Sequence, residues 1–77
     1  MHTPSTAHNS AYKERQIAVL CALTKQVNCG QNINEALTIA QGLLATTDPD
    51  IQHYLYELNN AIAQWCIRVI EEIKEDD

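Results

Sequence analysis

Three cysteines and a histidine are the residues whose types could do chemistry in this sequence: Cys21, Cys29, Cys66 and His53. Thiolates and an imidazole are the ligands that zinc prefers. Zinc sites usually contain two cysteines separated by two residues, whereas Cys21 and Cys29 lie eight positions apart. His53 and Glu57 lie one helical turn apart, a spacing that arises often by chance on polar helix faces. The sequence therefore predicts no metal site, and a thiol or metal sensor is kept as an alternative function.

The acidic residues are the other candidates for catalysis, and half of the ten lie in the tail at positions 71–77. Adjacent carboxylates at a solvated helix end lack the cleft that general acid–base catalysis needs to shift pKa values. Cys29, in a predicted turn, is the thiol expected to be most exposed, but the sequence identifies no base that would activate it. We therefore expect no enzymatic activity and no cofactor.

The two glycines, Gly30 and Gly42, are too few for a phosphate-binding loop. Gly30 follows a predicted helix and suits the left-handed residue that ends many helices. Gly42 lies inside a predicted helix, where glycine costs about 1 kcal/mol relative to alanine. A close crossing of two helices would explain its presence.

The balance of charge argues against nucleic acid as a partner. The 77-residue chain has a formal net charge of −5 and only five Lys or Arg residues, which are scattered. Nucleic-acid binding depends on clustered cations that neutralise phosphates. The first two predicted helices have the order of a helix-turn-helix, but residues 33–45 of the second contain no Lys or Arg and one Glu. A nucleic-acid-linked transcriptional regulator is therefore an alternative and not the favoured function.

The cysteines and the apolar runs predict a compartment. An odd number of cysteines, with no signal-peptide pattern at the N-terminus, favours a reducing environment. The longest apolar run, Ile17 to Leu23, is far shorter than the roughly 18 residues typical of a membrane span. We therefore expect a soluble cytoplasmic protein with no membrane partner.

The apolar spacing predicts two helices in the first half of the chain. Residues 1–9 are polar and are expected to form a flexible segment before a single helical domain over residues 10–77. The first helix is predicted over about residues 10–28. The second is predicted over residues 33–46, because Asn32 and the Glu three positions later have the spacing of a capping box.

A third helix is predicted over residues 49–75, because Asp48, Pro49 and Asp50 form a typical helix start. Six apolar residues along it step by four and three positions, as in a heptad seam: Ile51, Leu55, Leu58, Ile62, Trp65 and Val69. A second, shorter stripe consists of Tyr56, Ala63, Ile67, Ile70 and Lys74.

These elements predict an all-α fold, a three-helix bundle with a long C-terminal helix. Two short helices cannot easily cover both stripes of a helix about 39 Å long, and that helix carries three of the four aromatic residues. A homodimer is therefore expected, and the alternative is a compact monomer with those aromatic side chains in its core. Polar residues beside the seam, Asn59, Asn60 and Gln64, either fix the register of such a pair or face solvent. The residues predicted to contact a second copy or another partner are Tyr12, Tyr54, Tyr56, Leu58, Ile62, Trp65, Ile67, Val69 and Ile70.

The function expected from these features is that of a small acidic protein–protein interaction module that docks on a larger, unidentified protein. Its size and composition are typical of inhibitors, immunity proteins, adaptors and dedicated chaperones among bacterial and phage accessory proteins. An acidic surface would steer such a protein toward a basic partner.

Overall fold

The computed structural model describes the backbone of residues 4–75 and the side chains of residues 11–75. Within these residues the chain forms three α-helices and no strand: α1 (Pro4–Asn28), α2 (Ile33–Gly42) and α3 (Pro49–Glu75). The predicted all-α fold with a long C-terminal helix is confirmed.

The first helix begins at Pro4, six residues before the predicted start. Proline suits the first turn of a helix, because its φ angle is already helical and its missing N–H has no partner to lose there. Residues 1–3 lie outside the described residues, and the flexibility of residues 1–9 stays a prediction.

The end of α1 is fixed by a left-handed glycine, as predicted. Gly30 has a φ of 79°. The N–H of Gln31 donates to the carbonyl oxygen of Gln26 at 2.8 Å, and the N–H of Gly30 donates to that of Val27 at 2.9 Å. This pair of bonds is the Schellman motif, which satisfies carbonyl groups that the end of a helix leaves unpaired.

The predicted capping box at the start of α2 is wrong. Asn32 adopts a left-handed conformation (φ 54°, ψ 37°) and its side chain makes no capping hydrogen bond. Instead, the side-chain Nδ2 of Asn32 donates a hydrogen bond to Oε1 of Gln26 at 2.8 Å. A capping residue needs an extended backbone, and the tight turn after α1 leaves no room for one.

The second helix is also four residues shorter than predicted, because it ends at Gly42. The N–H of Leu43 still reaches the carbonyl oxygens of Ile39 and Ala40, each at 3.2 Å. A Cβ atom placed on Gly42 would meet no atom within 4 Å. The expected close helix crossing at this glycine is therefore absent.

The start of α3 agrees with the prediction. Oδ1 of Asp48 accepts from the N–H groups of Asp50 at 2.9 Å and Ile51 at 3.3 Å. The ammonium of Lys13 lies 3.3 Å from Oδ2 of Asp48 and 2.7 Å from Oδ2 of Asp50. The cap thus also ties α3 to α1.

Contacts at both ends show that α1 and α3 run in the same direction, with α2 returning between them. Lys13 of α1 meets the start of α3, and Nη2 of Arg68 donates to the carbonyl oxygen of Asn28 at 3.2 Å near the other end. The core between the helices is entirely apolar among the described residues: Leu20, Leu23, Val27, Ala36, Ala40, Ile51, Leu55, Leu58, Ala61 and Ile62.

The two glycines should respond oppositely to replacement by alanine. Gly42→Ala should raise the free energy of unfolding by about 0.4–1 kcal/mol, because the φ angle is not positive and the side chain meets open space. Gly30→Ala should lower it by roughly 1–2 kcal/mol, because the left-handed backbone strains any other residue. Urea denaturation followed by circular dichroism measures both, and equal effects would contradict this account of the two positions.

The Asp48 cap should make stability depend on acid. Burial alone raises the pKa of Asp48, but the N–H groups of Asp50 and Ile51 and the ammonium of Lys13 outweigh it, so the pKa lies below the usual 3.8. A lowered pKa stabilises the fold above pH 3.8, and this contribution is lost as the pH falls through the native pKa.

Asp48→Ala should therefore lower the melting temperature at neutral pH. The difference in melting temperature between this variant and the wild type should become smaller below pH 3.8. Asp48→Asn is the control, since asparagine caps as well but carries no charge. Thermal melts followed by circular dichroism test this, and a difference that stays constant with pH would refute it.

Candidate interaction surface on the C-terminal helix

Four residues of the predicted interface belong to the core seam of α3, which we define as Ile51, Leu55, Leu58, Ile62, Trp65 and Val69. Leu58 is 0% exposed and Ile62 is 8% exposed within the chain itself. Trp65 and Val69 are half-buried. Fully buried side chains cannot contact a second chain without opening the bundle, so Leu58 and Ile62 are left out of the candidate surface.

Two predicted contact residues lie on the flanks of the bundle. Tyr54 is half-buried and packs on the core, and its ring meets that of His53 edge to face, with ring centres 5.0 Å apart. Tyr12 is exposed on α1, and its hydroxyl accepts a hydrogen bond from Nε2 of Gln16 at 2.7 Å.

A second heptad seam runs along α3. Its first six residues each follow a residue of the core seam, and it continues for one more step to Ile73. Successive helical residues differ by about 100° around the axis, so this outer seam faces a different direction from the core. It steps by four and three positions over six intervals, and all its residues are exposed. We define the outer seam as Gln52, Tyr56, Asn59, Ala63, Cys66, Ile70 and Ile73.

Large apolar side chains are concentrated in the C-terminal half of this surface. Ile70 is 51% exposed and Ile73 is 61% exposed, and Ile67 beside them is 47% exposed. Tyr56, near the other end of the seam, is 69% exposed. The predicted contacts at Tyr56, Ile67 and Ile70 thus share one accessible flank of α3.

Ile73 and Cys66 lie on this exposed face but are not among the contact residues predicted from the sequence. Ile73 follows Val69 by four positions and Ile70 by three, so the helical spacing contained the signal. The stripe identified from the sequence ran instead through Ile67 to Lys74. Because α1 ends at Asn28, level with Arg68, the last turns of α3 extend beyond the core that covers the earlier ones.

The shape of the chain leaves an unusual amount of surface exposed. Its radius of gyration is 15.8 Å, whereas about 11–12 Å is typical of a compact domain of this length. Its accessible surface is 5747 Å², about 1000 Å² more than the size scaling gives for a compact monomer of 8.7 kDa. A standard protein–protein interface covers about 800 Å² on each partner.

The charges beside the apolar end of α3 are mainly negative. Glu71, Glu72 and Glu75 are exposed there, together with Lys74. The guanidinium of Arg68 is turned toward the end of α1 through its bond to Asn28. The C-terminal part of the surface is therefore an apolar strip with an acidic border.

The residues considered for metal or thiol chemistry are not grouped into a site among the described side chains. Cys21 is half-buried on α1, Cys29 is exposed in the turn as predicted, and Cys66 is exposed on α3. Among the side chains from residue 11 to residue 75, no three His, Cys, Asp or Glu residues are grouped to hold a metal ion. None of the three helices, over the part described, is long and apolar enough to span a membrane.

Comparison with known proteins gives no relative. No protein-family model, curated protein or solved structure matches the chain.

Proposed function

We propose that the protein is a homodimeric interaction module without enzymatic activity, and that it acts in the cytoplasm by docking on a larger protein. The observation that carries the proposal is the outer seam of α3, whose residues are all exposed. The outer seam joins the two copies, and the rest of the dimer surface is available to the larger protein. Three free thiols are consistent with a reducing compartment.

The outer seam is complementary to itself under a two-fold rotation. When two copies of α3 lie antiparallel with Ala63 opposite Cys66 of the second copy, Tyr56 falls opposite Ile73 and Asn59 falls opposite Ile70. Each of these three pairs joins two seam positions, which is the condition for an isologous interface. The small side chains at the centre, Ala63 and Cys66, let the helices approach closely.

The distribution of charge favours the antiparallel arrangement over the parallel one. A parallel pair would place Glu71, Glu72 and Glu75 of both copies side by side, where like charges repel. An antiparallel pair places the two acidic ends about 30 Å apart, because about 20 residues of helix separate them. It also opposes the dipoles of the two helices.

A dimer of this kind supports docking on a basic partner. The net charge of −5 per chain becomes −10 for two copies. Such a charge raises the rate of encounter with a partner whose overall charge is positive. The action expected is steric, as in an inhibitor, an immunity protein, an adaptor or a dedicated chaperone.

The dimer should depend on the outer seam and not on exposed leucine elsewhere. Ile70→Asp should shift the molar mass from that of a dimer to that of an 8.7 kDa monomer, because it buries a charge in the apolar half of the seam. Leu44→Asp is the matched control, since Leu44 is 72% exposed and lies outside the seam. Light scattering measures the molar mass of each variant in solution, and circular dichroism checks that both variants remain helical.

Dimers that survive Ile70→Asp, or a wild-type chain that is a monomer at every concentration tested, would overturn the proposed pairing. Equal losses of mass in both variants would place the contact outside the outer seam.

A further inference from the structure

A groove on the side of the bundle formed by α1 and α2 is not used by the outer seam. Its volume is about 400 Å³, within the usual size range of ligand pockets. Aliphatic residues of both helices line it, notably Val19, Ile39 and Leu43, with Tyr12 and Arg15 along the α1 side. Gly42 also lines it, at the end of α2.

The glycine in this groove has no role in the packing of its own chain. Gly42 is helical, and the two positions with positive φ among the described residues are Asn32 and Gly30. A Cβ on Gly42 would meet nothing within 4 Å. With no side chain at Gly42, a group from outside the chain can approach the backbone at the end of α2 closely.

The groove also carries an isolated positive charge. Arg15 is its one charged lining residue. The nearby ammonium of Lys13 is already engaged by Asp48 and Asp50, and no ion pair of Arg15 occurs among the described residues. On a chain with a net charge of −5, this cation beside aliphatic side chains is complementary to a carboxylate at the edge of an apolar surface.

We infer that this groove binds an amphipathic helix of the larger partner, which presents aliphatic side chains to Val19 and Ile39 and a carboxylate to Arg15. The inference rests on the proposed function and names where and how the docking occurs. A helix fits because the groove lies between two adjacent helices and runs for about two turns of α1, from Tyr12 to Val19. A helix seated there completes a four-helix arrangement.

Binding in the groove and pairing through the outer seam use different helices. The groove is lined by α1 and α2, and the outer seam belongs to α3. One copy can therefore hold the partner helix and a second copy at the same time.

The test uses two synthetic helical peptides that share a leucine face and lysine flanks and differ at one position beside the leucine face, glutamate in one and lysine in the other. Titrated into the full-length protein, the glutamate peptide should bind more tightly and shift the amide resonances of Val19, Ile39 and Gly42. Gly42→Leu should lower the affinity for the glutamate peptide by at least about tenfold, because the new side chain fills the groove. Gln41→Leu, an exposed neighbour that does not line the groove, is the control and should bind like the wild type. Arg15→Glu should reverse the preference between the peptides.

Three results would overturn the inference. They are resonance shifts confined to the outer seam, equal affinities for the two peptides, and an unchanged affinity of Gly42→Leu for the glutamate peptide. The inference would also be overturned if the groove amides became protected from hydrogen exchange as the concentration of the protein alone rises, because a second copy would then occupy the groove. The molar mass of each variant separates this result from the dimer. Gly42→Leu should remain dimeric, and Ile70→Asp should keep its affinity for the glutamate peptide while losing the dimer.

Discussion

The packing of the core seam of α3 against two shorter helices is the constraint on which the rest of the structure depends. Burial of Leu55, Leu58 and Ile62 between α1 and α2 supplies the apolar contacts that hold the bundle together. A helix of 27 residues has more than one face, however, and the other two helices cover one of them. The outer seam, turned by about 100°, is left without cover because α1 and α2 pack against the core seam.

Two uncovered apolar surfaces follow from this arrangement, and they differ in chemistry. The outer seam is bordered by glutamates and matches itself when reversed, which suits a second copy. The α1–α2 groove carries Arg15 and Gly42, which suits a different helix with a carboxylate. Small domains bury a modest fraction of their surface and often gain stability from partners. The same shortage of covering helices thus leaves both the face proposed for the dimer and the groove proposed for the partner.

The sequence predicts those features that depend on short-range chemistry. The start of α3 follows from Asp48 and its neighbours, and the end of α1 follows from Gly30, because capping is decided within a few residues. Asn32 was misread as a cap because its conformation is set by the turn that returns α2 onto α1. Sequence spacing likewise identified Leu58 and Ile70 as apolar without distinguishing which of them the chain itself covers. That distinction depends on where α1 ends relative to α3, which is a tertiary property.

The most direct test of the antiparallel pairing is a distance between the two copies. Glu75→Cys, in a chain whose native cysteines are replaced by alanine, places one spin label near the end of each α3. Pulsed electron double resonance should give an intermolecular distance of about 30 Å, since the helical rise separates the two ends by that length. A short distance would show parallel helices, and the absence of any intermolecular coupling would show that the outer seam does not join two copies.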